Sequence, residues 1–132
     1  MSFTDFQEKL ILQHAYGNVT WTPPSVYYFG LSNTAISEAG TGATEPTDVN
    51  YQRVGVANGT FSFLYQAGQI VNGTVIQFPA MAADAPEMKY IFISDASSGG
   101  NMRNVGSLSP SQTLLAGQQL RFDNGDLILT LD

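Results

Sequence analysis

His14 is the only histidine and cysteine is absent, so any imidazole base must be this one residue and thiolate chemistry is excluded. His14 falls in the last turn of an expected helix, where an imidazole interacts with exposed carbonyls and the helix dipole, a simpler role than catalysis. The closely spaced carboxylates are Asp84 with Glu87 and Asp123 with Asp126. Either pair suits a hard cation, and the second resembles a fragment of a calcium loop. Calcium needs about six to eight oxygens, however, and no complete Asp-x-Asp-x-Asp-Gly run is present, so turn and surface roles are favoured. Nothing selects a carboxylate pair for glycoside cleavage. Gly99-Gly100 among serines lacks the rest of a phosphate-binding loop and any strand-to-helix context. Trp21, Tyr27, Tyr28 and Phe29 could stack on a sugar ring, but strand alternation turns Tyr27 and Phe29 one way and Tyr28 the other, which favours core packing for at least one side. The reading is therefore a non-enzyme with no catalytic, metal-binding or cofactor-binding residue and no cofactor.

The scaffold that would carry these residues reads as mainly β. Thr4 with Gln7 forms a capping-box pattern, and Asp5 to Tyr16 is free of Gly and Pro until Gly17, which predicts one short helix with Phe6, Leu10 and Ile11 as its buried stripe. Thr22-Pro23-Pro24 enforces an extended linker. Val26 to Leu31 has strand composition, as do RVGVA, TFSFLY, QIV, TVIQF, KYIFIS, Met102 to Leu108, QLRF and DLILTL. Asn58-Gly59, Asn72-Gly73 and Asn124-Gly125 fall between such runs and predict two-residue type I′ hairpins. The Asn-x-Thr triplets at Asn18, Asn58 and Asn72 match a glycosylation acceptor pattern, but the turn reading already accounts for the last two. In the closing segment Leu127, Leu129 and Leu131 share one face, with Ile128 and Thr130 on the other. Together these give a single antiparallel β-sandwich or barrel-like domain of about eight strands with one short N-terminal helix, residues 1–24 being helix and linker and 25–132 the sandwich.

Eleven acids against five scattered bases give a net charge of −6, which disfavours a grip on nucleic acid phosphates. No apolar stretch approaches membrane-spanning length and the N-terminus lacks signal-peptide features, so no membrane association is expected and synthesis is placed in a cytoplasm. The low charged fraction, 12%, fits a surface covered in part by neighbouring proteins. Residues 32–50 form the longest loop. Its ordering must be offset by contacts, which makes Ile36, Glu38, Thr41 and Glu45, with Tyr27 and Tyr28, the expected partner-contact residues.

The order of VYYFGLS, GTGATEP, NYQRVGV, FPAMAAD, IFISDASSGGN, VGSLSPSQTLLAGQQLRF and GDLILTL resembles a family of small structural proteins of tailed bacteriophages, labelled tail-fibre or minor structural proteins. One departure is Ala85-Pro86-Glu87 ahead of KYIFIS, where the family pattern has a Trp-Gly pair. The resemblance spans nearly the whole chain and implies a virion component with no catalytic motif to carry over. One globular unit without attachment region or shaft favours a capsid decoration, or cement, protein bridging capsid subunits as homo-oligomeric or lattice-bound copies. The helix and the 32–50 loop would then contact the shell or a sister subunit, with the β turns facing outward. The alternative is a tail-fibre or tail-tip component for host attachment, with Tyr-rich and Gly-rich loops facing glycans. On either reading the partners are other virion proteins.

Overall fold

The computed structural model describes residues 1–130. Among them are one helix and ten strands, all paired antiparallel. The mainly β class with a single short helix is as expected, although the strands divide among three sheets.

The helix α1 (Asp5–Tyr16) starts at Thr4, whose extended backbone and side-chain oxygen accept the chain's turn into the helix, with the Gln7 amide donating to Thr4 Oγ1 at 3.4 Å. Thr4 is fully buried, because its hydroxyl also donates to the Met102 carbonyl at 2.6 Å and its amide to that of Arg103 at 2.9 Å. The helix is thus riveted to a strand almost a hundred residues away. The expected reciprocal arm of the capping box is diverted: Gln7 Oε1 accepts from Arg103 Nη1 at 3.0 Å instead of reaching the cap. Gly17 closes the last turn by donating to Gln13 O. The predicted buried stripe is only half realised. Phe6 is 37% exposed, Leu10 and Ile11 are half-buried, and Gln7 is the helical residue that is buried, its side chain held by Arg103.

The main sheet has the order β1 (Ser2–Phe3), β8 (Met102–Gln112), β7 (Met88–Ser94), β2 (Val26–Ser32), β3 (Val54–Ala57). Paired residues point to the same face, so the register places Phe3, Asn104, Ile93, Phe29 and Val54 in one row across all five strands. That face, with Leu31, Ile91 and Val56, packs on Ile76, Phe78, Met81, Leu114, Leu120 and Leu127 to form the core. The opposite face carries Gly30 beside Phe92. Phe92 has no exposed surface, because its ring lies across Gly30, where a Cβ atom would collide with it, and the Arg53 guanidinium covers it at 4.9 Å. Burial on both faces explains the unbroken apolar run Ile91-Phe92-Ile93.

Two small sheets complete the fold: β10 (Ile128–Leu129), β5 (Gln69–Asn72), β4 (Phe63–Gln66), and the pair β6 (Ile76–Gln77), β9 (Arg121–Phe122). The closing strand is paired as its apolar character demands, with Leu127 buried and Ile128 41% exposed. Leu131 lies outside the described residues.

None of the three Asn-Gly pairs makes the predicted hairpin, since the strands flanking each pair are bonded to other partners. Ala67-Gly68 makes it instead: φ is 48° and 85°, and Gln66 pairs with Gln69 across a two-residue turn. Two of the asparagines serve through their side chains. Asn72 is buried, with Nδ2 donating to Thr74 O and Asp123 O and Oδ1 accepting from Leu127 N, while Asn58 Nδ2 donates to Pro24 O. At Gly73 an added Cβ would strike the Phe61 carbonyl, so this glycine is required for close backbone approach.

Candidate functional site

Where α1, the proline linker, the main sheet and the β4–β5 hairpin converge, a cavity of about 630 Å³ opens to the surface. Its apolar walls come from Phe3, Ile11, Trp21, Tyr27, Phe63 and Ile93, with Tyr65 and the polar residues Asn58, Thr60 and Gln69 also lining it. No acidic or basic side chain is among the lining residues.

Two aromatic groups hold the wall in shape. Tyr27 meets Phe63 edge to face with ring centroids 5.7 Å apart, and Phe63 stacks on Phe29 at 6.4 Å. Burial pushes the Tyr27 hydroxyl above its ordinary pKa, partly countered by the Arg103 charge. Trp21, half-buried, is held from two directions: its amide donates to His14 Nδ1 at 3.4 Å and its ring stands 5.9 Å from the Arg103 guanidinium. His14 therefore supports the returning linker, while at the helix end the Gln13 carbonyl accepts from the amides of Gly17 and Val19. Arg103 is itself fixed by Asp95 at 2.8 Å, by Gln7 Oε1 and by the Phe6 ring at 4.9 Å. Burial alone would raise the Asp95 carboxyl, but hydrogen bonds from the Asn101 amide and side chain and from Arg103 outweigh it and hold it below the usual range.

One lining group stands out chemically. Asn104 is only 4% exposed, makes no side-chain hydrogen bond among the described residues, and leaves Nδ2 buried without an acceptor. Buried amides are ordinarily satisfied, because an unmade bond costs about 1–3 kcal/mol.

Of the residues expected to touch partners, Tyr27 lines this cavity, while Tyr28 points to the other face across Gly55. Ile36, Glu38 and Thr41 sit on the 32–50 loop, which is pinned throughout. Ser32 Oγ accepts from Thr44 N, Thr34 Oγ1 donates to Gly42 O, Thr41 and Ser37 hydroxyls meet at 2.9 Å, and Glu38 O accepts from the first helical amide, Asp5 N. Glu45 faces inward. It grips Arg53 with both oxygens at 2.9 Å and accepts from the Tyr51 hydroxyl at 2.8 Å, while Arg53 Nη1 also donates to the carbonyls of Ala96 and Gly99.

The carboxylates of both pairs are engaged by other groups of the chain, the first pair by distant residues and the second within its own turn. Asp84 accepts from Ala116 N, Glu87 bonds the Ser111 hydroxyl, Asp126 accepts from Asp123 N, and Asp123 pairs with Arg121. No cluster of three or more metal-ligating side chains exists among the described residues. Nor is any helix there long and apolar enough to cross a membrane.

The description of podophage GP4 fiber I protein gp80 matches residues 2–130. The chain belongs to that family. It is accordingly a structural protein of a tailed bacteriophage, a component of the virion that meets other virion proteins. This agrees with the resemblance read from the segment order, and the fibre label fits the tail alternative better than the cement reading. No curated protein matches the chain.

Proposed function

We propose that this protein is a non-enzymatic structural part of the tail-fibre apparatus, acting in attachment to the host cell, and not a capsid cement protein. The observation that carries this reading is the match to a fibre protein family over residues 2–130.

Tyr16, Val49, Phe61 and Tyr65 are 75–88% exposed, and packing against neighbouring copies or fibre proteins would cover them. Binding to nucleic acid is disfavoured, since Arg53, Arg103 and Arg121 each pair with a carboxylate of the chain itself.

Localisation on intact particles by cryo-electron microscopy tests the reading. Density confined to the tail is expected; regular density over the head would overturn it and restore the cement role.

A further inference from the structure

We propose that Asn58-Gly59 is a site of spontaneous deamidation, and that the modification loosens the proline linker following Trp21. The fold sorts the three Asn-Gly pairs of the sequence, alike as dipeptides, into one open to this reaction and two held back from it.

The reaction needs the glycine amide nitrogen, freed of its proton, to attack Cγ of the preceding asparagine. A C–N bond forms, the Cγ–Nδ2 bond breaks and ammonia leaves with a proton. Water then opens the cyclic imide at either carbonyl, giving aspartate or isoaspartate and an added negative charge. An amide that already donates to a carbonyl is withheld until that bond opens. Gly73 N donates to Ser62 O at 2.7 Å, the Phe61 carbonyl and Leu64 crowd the glycine, and the Asn72 side chain is buried with bonds to Thr74, Asp123 and Leu127. Gly125 N donates to Asn72 O at 2.8 Å, although Asn124 itself is exposed. Gly59 N has no acceptor among the described residues, and beyond its chain neighbours nothing stands within 4 Å of where a Cβ would lie. Asn58 is exposed, and its side chain is restrained by the bond from Nδ2 to Pro24 O at 3.1 Å, at the surface where water competes for both groups.

That bond is also what the modification removes. Asn58 ties the linker to the end of β3 through Nδ2 to Pro24 O and through its own amide to Ser25 O at 2.9 Å. A carboxylate at position 58 has no proton to donate and sets its charge against the Pro24 carbonyl oxygen, and isoaspartate also lengthens the backbone just beyond the Ser25 contact. The stretch from Trp21 to Pro24 then keeps its hold on His14 and loses its hold on Asn58.

The test incubates the full chain warm at mildly alkaline pH, beside a sample in concentrated urea, and follows the exchange of amide for acid at each pair by peptide mapping with fragment mass spectrometry. In the folded chain Asn58 should convert first, Asn124 about three- to tenfold more slowly, the effect of one hydrogen bond, and Asn72 at least about a hundredfold more slowly. In urea the three rates should converge. Gly59→Ala, for which there is space and no left-handed backbone to strain, should slow conversion at Asn58 with Tm unchanged. Asn58→Asp should move the emission of Trp21, the only tryptophan, to longer wavelength, whereas Asn124→Asp, the same change of charge elsewhere, should not. Conversion at Asn124 or Asn72 as fast as at Asn58, or the same ranking in urea, would overturn the site. Trp21 emission indifferent to Asn58→Asp, or moved equally by Asn124→Asp, would overturn the loosening of the linker.

Discussion

Glu45→Ala is the sharpest test of how the long loop is held. Arg53 has a side chain only 5% exposed, and Glu45, 30% exposed, is its counter-charge. Removing one partner of a buried pair costs about 3–5 kcal/mol, because the remaining charge is left uncompensated. Two things reduce this here. Arg53 keeps the carbonyls of Ala96 and Gly99 and the face of Phe92, and water can reach the exposed side of the vacated carboxylate. The expected loss is therefore about 2–3 kcal/mol, partly offset by rehydration. At roughly 3–5 °C per kcal/mol for a domain of this size, Tm should fall by about 6–15 °C. Urea unfolding followed by Trp21 fluorescence and far-ultraviolet circular dichroism gives the free energy directly. Glu45→Ala combined with Arg53→Met should cost less than the sum of the single changes by at least about 1 kcal/mol, since the double variant leaves no buried charge. A loss below about 0.5 kcal/mol for Glu45→Ala, or strict additivity, would refute the claim that this pair fastens the loop to the sheet.

Gly30→Ala should destabilise by about 1–3 kcal/mol, because the new methyl drives into a Phe92 ring confined beneath Arg53; an unchanged urea midpoint would contradict that packing. Ala67→Asn should stabilise by about 0.5–1 kcal/mol, since Asn tolerates the left-handed conformation that alanine is forced to hold there, and thermal melts decide it. Asp48 accepts from the amides of Ala82, Asn50 and Ala83, which holds its carboxyl below the usual range. Its contribution is thus present above the ordinary carboxylate pKa and disappears as pH falls through the lower folded value. The stability gap between the wild type and Asp48→Asn should narrow on acidification through that window, and a gap independent of pH would refute the assignment.

Elements set by local chemistry could be read from the sequence, and those set by distant partners could not. Thr4 and Gly17 bracket the helix as their types dictate, and VYYFGL and KYIFIS become the two central strands. Gln7 fits the local capping rule equally well, yet a buried guanidinium 96 positions away competes for its side chain and wins. The Asn-Gly pairs misled for a similar reason: Asn72 is worth more as a three-bond side-chain bridge than as a turn residue, and the hairpin falls to Ala67-Gly68. At the cavity, Trp21 and Tyr27 were visible as aromatics near one another in sequence. Phe63, Ile93 and Asn104 join them only through strand register, and nothing in the residues around Asn104 marks its amide as lacking a partner.

The internal bonding of residues 32–50 has a kinetic consequence for assembly. A loop that must first be ordered slows docking and weakens the product, whereas one already fixed by its own hydroxyls, by Glu45 and by the helix start presents a finished shape. If a neighbouring subunit docks on this loop, as the sequence leads one to expect, the encounter would be one of rigid bodies, with rates set by orientation and long-range charge and with affinity adjusted mainly through how slowly the partners separate.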